Sequence, residues 1–330
     1  MDAWLPLAFL AVMGLSMLAY VVLDGYDLGV GILLRGADDA QKDTMIASIG
    51  PFWDANETWL VLGIGVLLTA FPRAHGVILG ALYLPVALML AGLILRGVAF
   101  DFRVKARAAH KPLWDRAFWA GSLLAALSQG YMLGLWIVGF ERNWATVTFA
   151  LFIGAALASG YALLGAGWLI ARTEGALQHR AVAWARGALL LTALGIAAVS
   201  LATPLVSESV AARWFAWPRM ALLAPIPLAT AVLFGVAFTA LRTLPRPQDQ
   251  GRWIPFACAV GIYALAFAGL AYSAFPYLVV DRITIWDAAS APESLRVIFY
   301  GAAVTLPAIV AYTVISYRVF RGKATELRYY

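Results

Sequence analysis

Residues 50–71 read GPFWDANETWLVLGIGVLLTAF, and the stretch divides in the middle. From Leu60 onward it is apolar and suited to lipid, whereas its first turns set Asp54, Asn56 and Glu57 between Trp53 and Trp59. Composition decides which half governs the fold. The 330-residue chain is 63% hydrophobic and 13% charged, with a mean hydropathy of +0.81, far from the balance of a soluble domain. It reads as a polytopic membrane protein, so Asp54 and Glu57 open a membrane helix. The single cysteine, Cys258, lies in an apolar run; one thiol builds neither a disulfide framework nor a thiolate metal site, and Cys258 reads as a packing residue. A net charge of +6 would suit nucleic acid, but nearly all the basic residues lie in short loops between apolar runs, where topology accounts for them.

A hydrocarbon core about 30 Å thick needs roughly 20 apolar residues at 1.5 Å each. Nine runs fit, at about 3–34, 52–71, 76–100, 115–139, 146–171, 183–205, 219–241, 253–277 and 296–319. Runs of this length must be helices, because lipid offers the backbone no hydrogen-bond partners. The first lacks a basic leader and is too long for a signal core, so it reads as a retained span. Residues 1–330 are thus expected to form one integral membrane domain of all-α class. With the N-terminus outside, the inward loops carry Arg35, Lys42, Arg103, Lys105, Arg107, Lys111, Arg116, Arg172, Arg180, Arg186, Arg242, Arg246, Arg252, Arg318, Arg321, Lys323 and Arg328. The opposite loops carry only Arg73, Arg142, Arg213, Arg219, Arg282 and Arg296, and Arg96 alone falls within a span. The positive-inside bias therefore puts the N-terminus outside and the C-terminus in the cytoplasm.

Intramembrane charge gathers at the cytoplasmic ends of the first three spans. Asp24 and Asp27 lie three residues apart, hence on one helical face, and LGVGILL continues the apolar run beyond them. Asp54 and Glu57 repeat the spacing in the second span, and Arg96 precedes Asp101 at the end of the third. Each has an ordinary explanation: a wet helix exit, carboxylates favoured by the dipole of a first turn, a snorkelling arginine. Together they are better explained by a shared polar cluster, because neighbouring spans joined by short loops pack together and charges at that depth persist when paired or lining water. Exchangeable carboxyls steadied by an arginine have the chemistry of a proton inlet. In that reading Trp53 and Trp59 wall the path and Asn56 orients Asp54 or a water.

The residues that are missing narrow the chemistry. His75, His110 and His179 fall in or beside loops, and Met13, Met17, Met89 and Met132 read as packing, so the chain offers no axial haem ligands. GYDLGVG has the wrong spacing for a phosphate loop and no lysine. No metal-ligand spacing, catalytic nucleophile or nucleic-acid signature is present. In the last outer loop, Asp287 after Trp286 suits a helix cap or a partner contact, with Trp286 fitting an interfacial aromatic belt.

The stretches DGYDLGVGIL (24–33), GPFWDANETWLV (50–61), LRGVAFDFR (95–103) and TIWDAAS (284–290) occur in the order of a known family. Together they resemble subunit II of the cytochrome bd type quinol oxidases, including the cyanide-insensitive branch. The resemblance implies nine helices, as two four-helix bundles plus one peripheral helix, in the bacterial inner membrane. It also implies a respiratory complex that oxidises quinol and reduces oxygen to water, with haems b and d held by a partner, subunit I. A small single-helix subunit, membrane lipids and a structural quinone or lipid in this chain belong to the same expectation; nucleic acid does not. By the resemblance Asp54 is the proton-path residue, with Asp24, Asp27 and Arg96 near the same path and Glu57 less securely placed. A proton- or cation-coupled secondary transporter is the rival class; it would show matching broken segments in both halves, and DGYDLG has no second copy. A pure scaffold subunit leaves the clustered carboxylates unexplained.

Overall fold

The computed structural model describes residues 4–324; residue 3, where the first expected span begins, and Arg328 lie outside the described residues. Apolar runs become helices, and proline marks many of their starts. Pro6, Pro72, Pro112, Pro225, Pro255 and Pro292 all occupy the first two helical positions, where a missing N–H costs nothing. In chain order the helices are α1 (Leu5–Leu33), α2 (Asp39–Ile49), α3 (Trp53–Ala70), α4 (Pro72–Lys105), α5 (Lys111–Ile137), α6 (Trp144–Arg172) and α7 (Gly175–Val206). They continue with α8 (Glu208–Trp214), α9 (Arg219–Leu223), α10 (Pro225–Thr243), α11 (Ile254–Ala274), α12 (Ile285–Ala288) and α13 (Pro292–Val319).

Eight segments among the described residues are long and apolar enough to cross a membrane, namely those built on α1, α4, α5, α6, α7, α9 with α10, α11 and α13. The second of the nine expected spans, 52–71, is the helix α3, whose 18 residues include the polar Asp54, Asn56 and Glu57. These depress its hydropathy, and it does not join the eight. Several short elements go beyond the sequence reading, among them α8 and α12 between expected spans. One is α2, a short helix capped by Asp38, which accepts from Gln41 N at 2.9 Å. Another is a small hairpin within the all-α architecture: β1 (Tyr277–Val279) pairs antiparallel with β2 (Ile283–Thr284) around a turn where Asp281 takes φ 58°.

The long helices close into two four-membered rings. One runs α1, α3, α4, α5 and the other α6, α7, α10, α11, with α1 and α5 both packed on α6; α13 lies outside the rings against α1 and α3. The tightest meeting is α1 with α6. A Cβ at Gly29 would stand 1.8 Å from the Tyr161 carbonyl oxygen, so no larger residue fits without parting the helices. At the α2 end, Tyr26 stacks on Trp168 at 4.3 Å and Phe52 on Tyr317 at 4.5 Å, while Met45, Ile46 and Ile49 of α2 join the same core. At the hairpin end, Leu5, Phe9, Phe71, Val279, Ile283 and Ile285 form a second core. There Ser290 donates from N to Ala70 O at 2.9 Å and from Oγ to Thr69 O at 2.7 Å, tying the hairpin segment to the end of α3.

Candidate functional site

The first ring buries a charged cluster at the level where α1, α3 and α4 converge. The spacing of three brings Asp24 and Asp27 to one side of α1, and both are fully buried. Opposite them, α4 supplies Arg96, 1% exposed, held close by the crossing of α4 and α5, where a Cβ at Gly121 would lie 2.8 Å from Arg96 N. Arg96 Nη1 lies 2.6 Å from Asp24 Oδ1, an ion pair rather than an aligned hydrogen bond, and Arg96 Nη2 donates to Glu57 Oε1. The Glu57 side chain is 29% exposed, so the cluster reaches the surface there.

Asp27 is served separately. Asn56 Nδ2 donates to Asp27 Oδ2 at 2.8 Å and also lies 2.9 Å from the Tyr26 hydroxyl. Tyr317 of α13 donates to Asn56 Oδ1 at 3.1 Å, and its oxygen lies 2.6 Å from that of Tyr26. Asp24 Oδ2 and Asp27 Oδ1 receive no hydrogen bond among the described residues. The cluster therefore holds three carboxyl groups against one fixed positive charge.

Of the residues singled out in the sequence, the fold unites Asp24, Asp27, Asn56, Glu57 and Arg96. Asp54 and Asp101 are exposed, and among the described residues no hydrogen bond or ion pair joins either to these five, although Asp54 lies within electrostatic reach of Glu57. Asn56 was expected to orient Asp54 or a water; it binds Asp27 instead, because residues two apart on a helix point about 200° apart. Trp53 stacks on Phe100 at 5.0 Å, and Trp59 is buried with an indole N–H that finds no acceptor among the described residues. At the hairpin end, Asp287 does not cap α13. It closes a capping box with Thr284 around α12, Oδ2 accepting from the Thr284 hydroxyl at 2.6 Å. Those bonds hold its carboxyl below the usual carboxylate range. Trp286 is 47% exposed and meets Phe275 edge to face at 6.2 Å.

Several polar residues escaped the sequence reading. Tyr20 precedes Asp24 by four and Gln129 is a lone amide in apolar α5, so both left a signal; Tyr317 lies 261 residues from Asn56 and left none. A second ionic cluster also went unread, at the α2 end. Arg103, 3% exposed, lies 2.6 Å from Asp43 and donates from Nε to Asp115; Lys42 Nζ lies 3.3 Å from Asp115 and 2.9 Å from Asp39, and Lys111 lies 3.3 Å from Asp43. Burial pushes the Asp43 carboxyl up, but the hydrogen bonds and charges of Arg103 and Lys111 outweigh it and hold Asp43 below its ordinary range. Lys42 is raised, chiefly by its hydrogen bond to Asp39 and also by Asp115, against partial burial.

The three histidines offer no axial pair. His75 opens α4, His110 precedes α5 and is exposed, and His179, in the second turn of α7, bonds through Nδ1 to Gly175 O at 2.9 Å. Among the described residues no group of three His, Cys, Asp or Glu could hold a metal ion.

Comparison with known proteins adds a family. The model of the family described as cytochrome bd terminal oxidase subunit II matches residues 5–320. The chain is 28% identical to cytochrome bd-I ubiquinol oxidase subunit 2 of Escherichia coli K12 over a 356-residue alignment, covering 95% of this chain and 93% of that one. It is 27% identical to cytochrome bd ubiquinol oxidase subunit 2 of Bacillus subtilis 168 over 344 residues, covering 98% and 97%. Among solved structures, a chain of the bd oxidase from Geobacillus thermodenitrificans matches the fold with a TM-score of 0.80 at 17% identity, over 96% of this chain and 98% of that one.

Proposed function

The chain belongs to the cytochrome bd terminal oxidase subunit II family, and from this premise we propose that it passes protons toward a haem-bearing partner, subunit I, in a bacterial inner-membrane quinol oxidase. The charged cluster of α1, α3 and α4 carries the proposal. A buried carboxylate without a countercharge costs several kcal/mol, so three carboxyls around Arg96 reach neutrality by holding protons. Protons held for neutrality are released and regained as nearby charge changes, which is the duty of a proton path.

Exposure grades the route. Asp54 stands exposed in the first turn of α3, Glu57 one turn on is 29% exposed, and Asp24 behind Arg96 is fully buried. Asp27 forms a second buried station beside Asn56, and exposed Asp101 marks the rim of the mouth. Reduction of oxygen to two waters consumes four protons, and drawing them from the cytoplasm makes turnover electrogenic. Haems b and d, which would carry the electrons, belong to subunit I; no step at the iron is assigned to this chain.

The same reading makes residues 1–330 one membrane domain and α3 its ninth crossing, its polar start facing Asp24 and Arg96 rather than lipid. The positive-inside bias then places the α2 end in the cytoplasm and the N-terminus outside. Trp286 and Asp287 sit on the outer face, where Trp286 is free to meet a partner. A small single-helix subunit completes the assembly, with quinol and oxygen as substrates of the whole. An apolar cleft of about 530 Å³ lined by Ile32, Leu123, Ala158, Trp184 and Leu191 offers room for a structural quinone or a lipid chain.

The test is Asp24→Asn in the assembled complex, with haem content, oxygen consumption and proton uptake measured together. Turnover is expected to fall at least roughly 10-fold with haem retained. Unchanged turnover in a fully assembled variant would overturn the proton-path role, and loss of all haem would point to structural support instead.

A further inference from the structure

A hydrogen-bonded branch leaves the charged cluster on the side away from Glu57. The Tyr161 hydroxyl of α6 donates to Gln129 Oε1 at 2.6 Å, and Gln129 Nε2 of α5 donates to the Tyr20 hydroxyl oxygen at 2.7 Å. Tyr20 lies one turn before Asp24 on the same face of α1, beside its carboxyl. Tyr20 and Tyr161 are buried, at 2% and 0% exposure.

The ends of the branch set its direction. The Tyr161 ring stacks on Tyr263 at 5.9 Å and 9°, and the Tyr263 hydroxyl donates to the Leu157 carbonyl, so Gln129 Oε1 is the acceptor Tyr161 has among the described residues. That turns the amide N–H toward Tyr20, whose oxygen becomes an acceptor and whose own proton stays uncommitted. Beside it, Asp24 Oδ2 is a buried acceptor without a hydrogen bond among the described residues. An uncommitted donor thus stands one turn along α1 from an unmet acceptor, and a small shift of either side chain, rather than a turn of the hydroxyl alone, brings them into hydrogen-bond contact.

We propose that Gln129 and Tyr161 are positioning residues that hold Tyr20 as the hydroxyl donor to Asp24, and that the branch ends there without conducting protons. A neutral amide does not pass a proton along while remaining an amide, so Gln129 interrupts any wire through α5. Protons then exchange at Asp24 through the Arg96 and Glu57 side. The groups facing Asp24 are Arg96 from α4, Glu57 from α3, Asp27 and Tyr20 from α1 and Tyr161 from α6, with α5 contributing only the neutral Gln129. This inference rests on the reading of Asp24 as a proton-exchanging group.

The experiment records infrared difference spectra and pH profiles of turnover on the assembled oxidase, with Asp24→Asn used to assign the Asp24 carboxyl band. Gln129→Leu and Tyr20→Phe are each expected to displace that band and the pH midpoint, and to lower turnover roughly 3- to 10-fold with haem content kept. In a Tyr20→Phe background, Gln129→Leu should add nothing, because both remove the same contact. Additive effects, or a band unmoved by Gln129→Leu, would overturn the proposal; turnover lost with the band in place would mark a conducting branch. Should Gln129→Leu fail to assemble, Tyr161→Phe removes one oxygen and is expected to displace the band the same way. Asp24→Asn with normal turnover sinks the proton path alone, since the band displacement reports the Tyr20 contact independently.

Discussion

Two ionic clusters share α4 and are built on opposite terms. At the α2 end, Asp39, Asp43 and Asp115 meet Lys42, Arg103 and Lys111, every acid within reach of a base, with side chains as much as 87% exposed. Deeper in the ring, Arg96 faces Asp24, Asp27 and Glu57, and both Asp24 and Arg96 are at most 1% exposed. The balanced cluster works as a fastening that holds α2 and α5 to α4 at a modest gain per pair. The unbalanced one has no such justification, since surplus acid in a dry place destabilises the fold. On the proposed proton-path reading, acids that cost stability in such a place are retained for chemistry. Charge balance, read together with burial, separates the two roles.

The sharpest way to break this comparison is to remove Arg96. Arg96→Leu leaves three carboxyls without a countercharge and is expected to cost about 3–5 kcal/mol. Yield and thermal unfolding of the purified complex measure it, and Arg96→Lys should restore part of the loss. Arg103→Ala removes a buried cation from the balanced cluster, where Lys42 and Lys111 still serve Asp115 and Asp43. It should cost roughly 1–2 kcal/mol and lower Tm by a few degrees, less so at high salt. A loss equal to that of Arg96→Leu would erase the distinction.

pH gives a finer test on the fastening. The Asp43 carboxyl is held below its unfolded value of about 3.9, so its contribution is present above that pH and lost as pH falls through the lower folded value. Lys42 is held above about 10.4, so its contribution is present below that pH and lost as pH rises through the higher folded value. With Asp43 48% exposed, Asp43→Asn should cost less than about 1 kcal/mol, equally at about pH 5.5 and 8.5, and nothing in strong acid. Thermal scans across that range decide it. The smallest expected change in stability is that of Asp54→Asn, within about 0.5 kcal/mol since Asp54 is exposed. Its turnover should nevertheless fall if Asp54 is the mouth of the path, so unfolding and oxygen consumption are measured on one preparation.

Much of the membrane architecture was legible in the chain. The apolar runs at 76–100 and 146–171 became α4 and α6, and the pairing of Asp24 with Asp27 followed from a spacing of three. The helix α2 was not legible, because DAQKDTMIASI is too short and polar for a span and is buried by packing on neighbours such as α1 and α6. Asp101 was grouped with Arg96 on proximity along the chain, yet five residues turn a helix by about 140°, and Asp101 ends on an exposed face. Asp43 and Asp115 drew no notice because nothing local marks them; their meaning comes from Arg103, which reaches both across helices.

The sequence by itself determined that this protein lives in a membrane, that its runs are helical, and how far along each helix its carboxylates lie. Each follows from hydropathy and from a fixed rise of about 1.5 Å per residue. Only the tertiary structure decided which of those carboxylates meet. Height along a helix is set by residue number, but direction around it has meaning only against a neighbour, and the neighbours here are chosen by contacts such as Gly29 on Tyr161 and Gly121 on Arg96. Asn56 therefore serves Asp27 rather than Asp54, and Tyr317 from the last helix completes a site begun by the first.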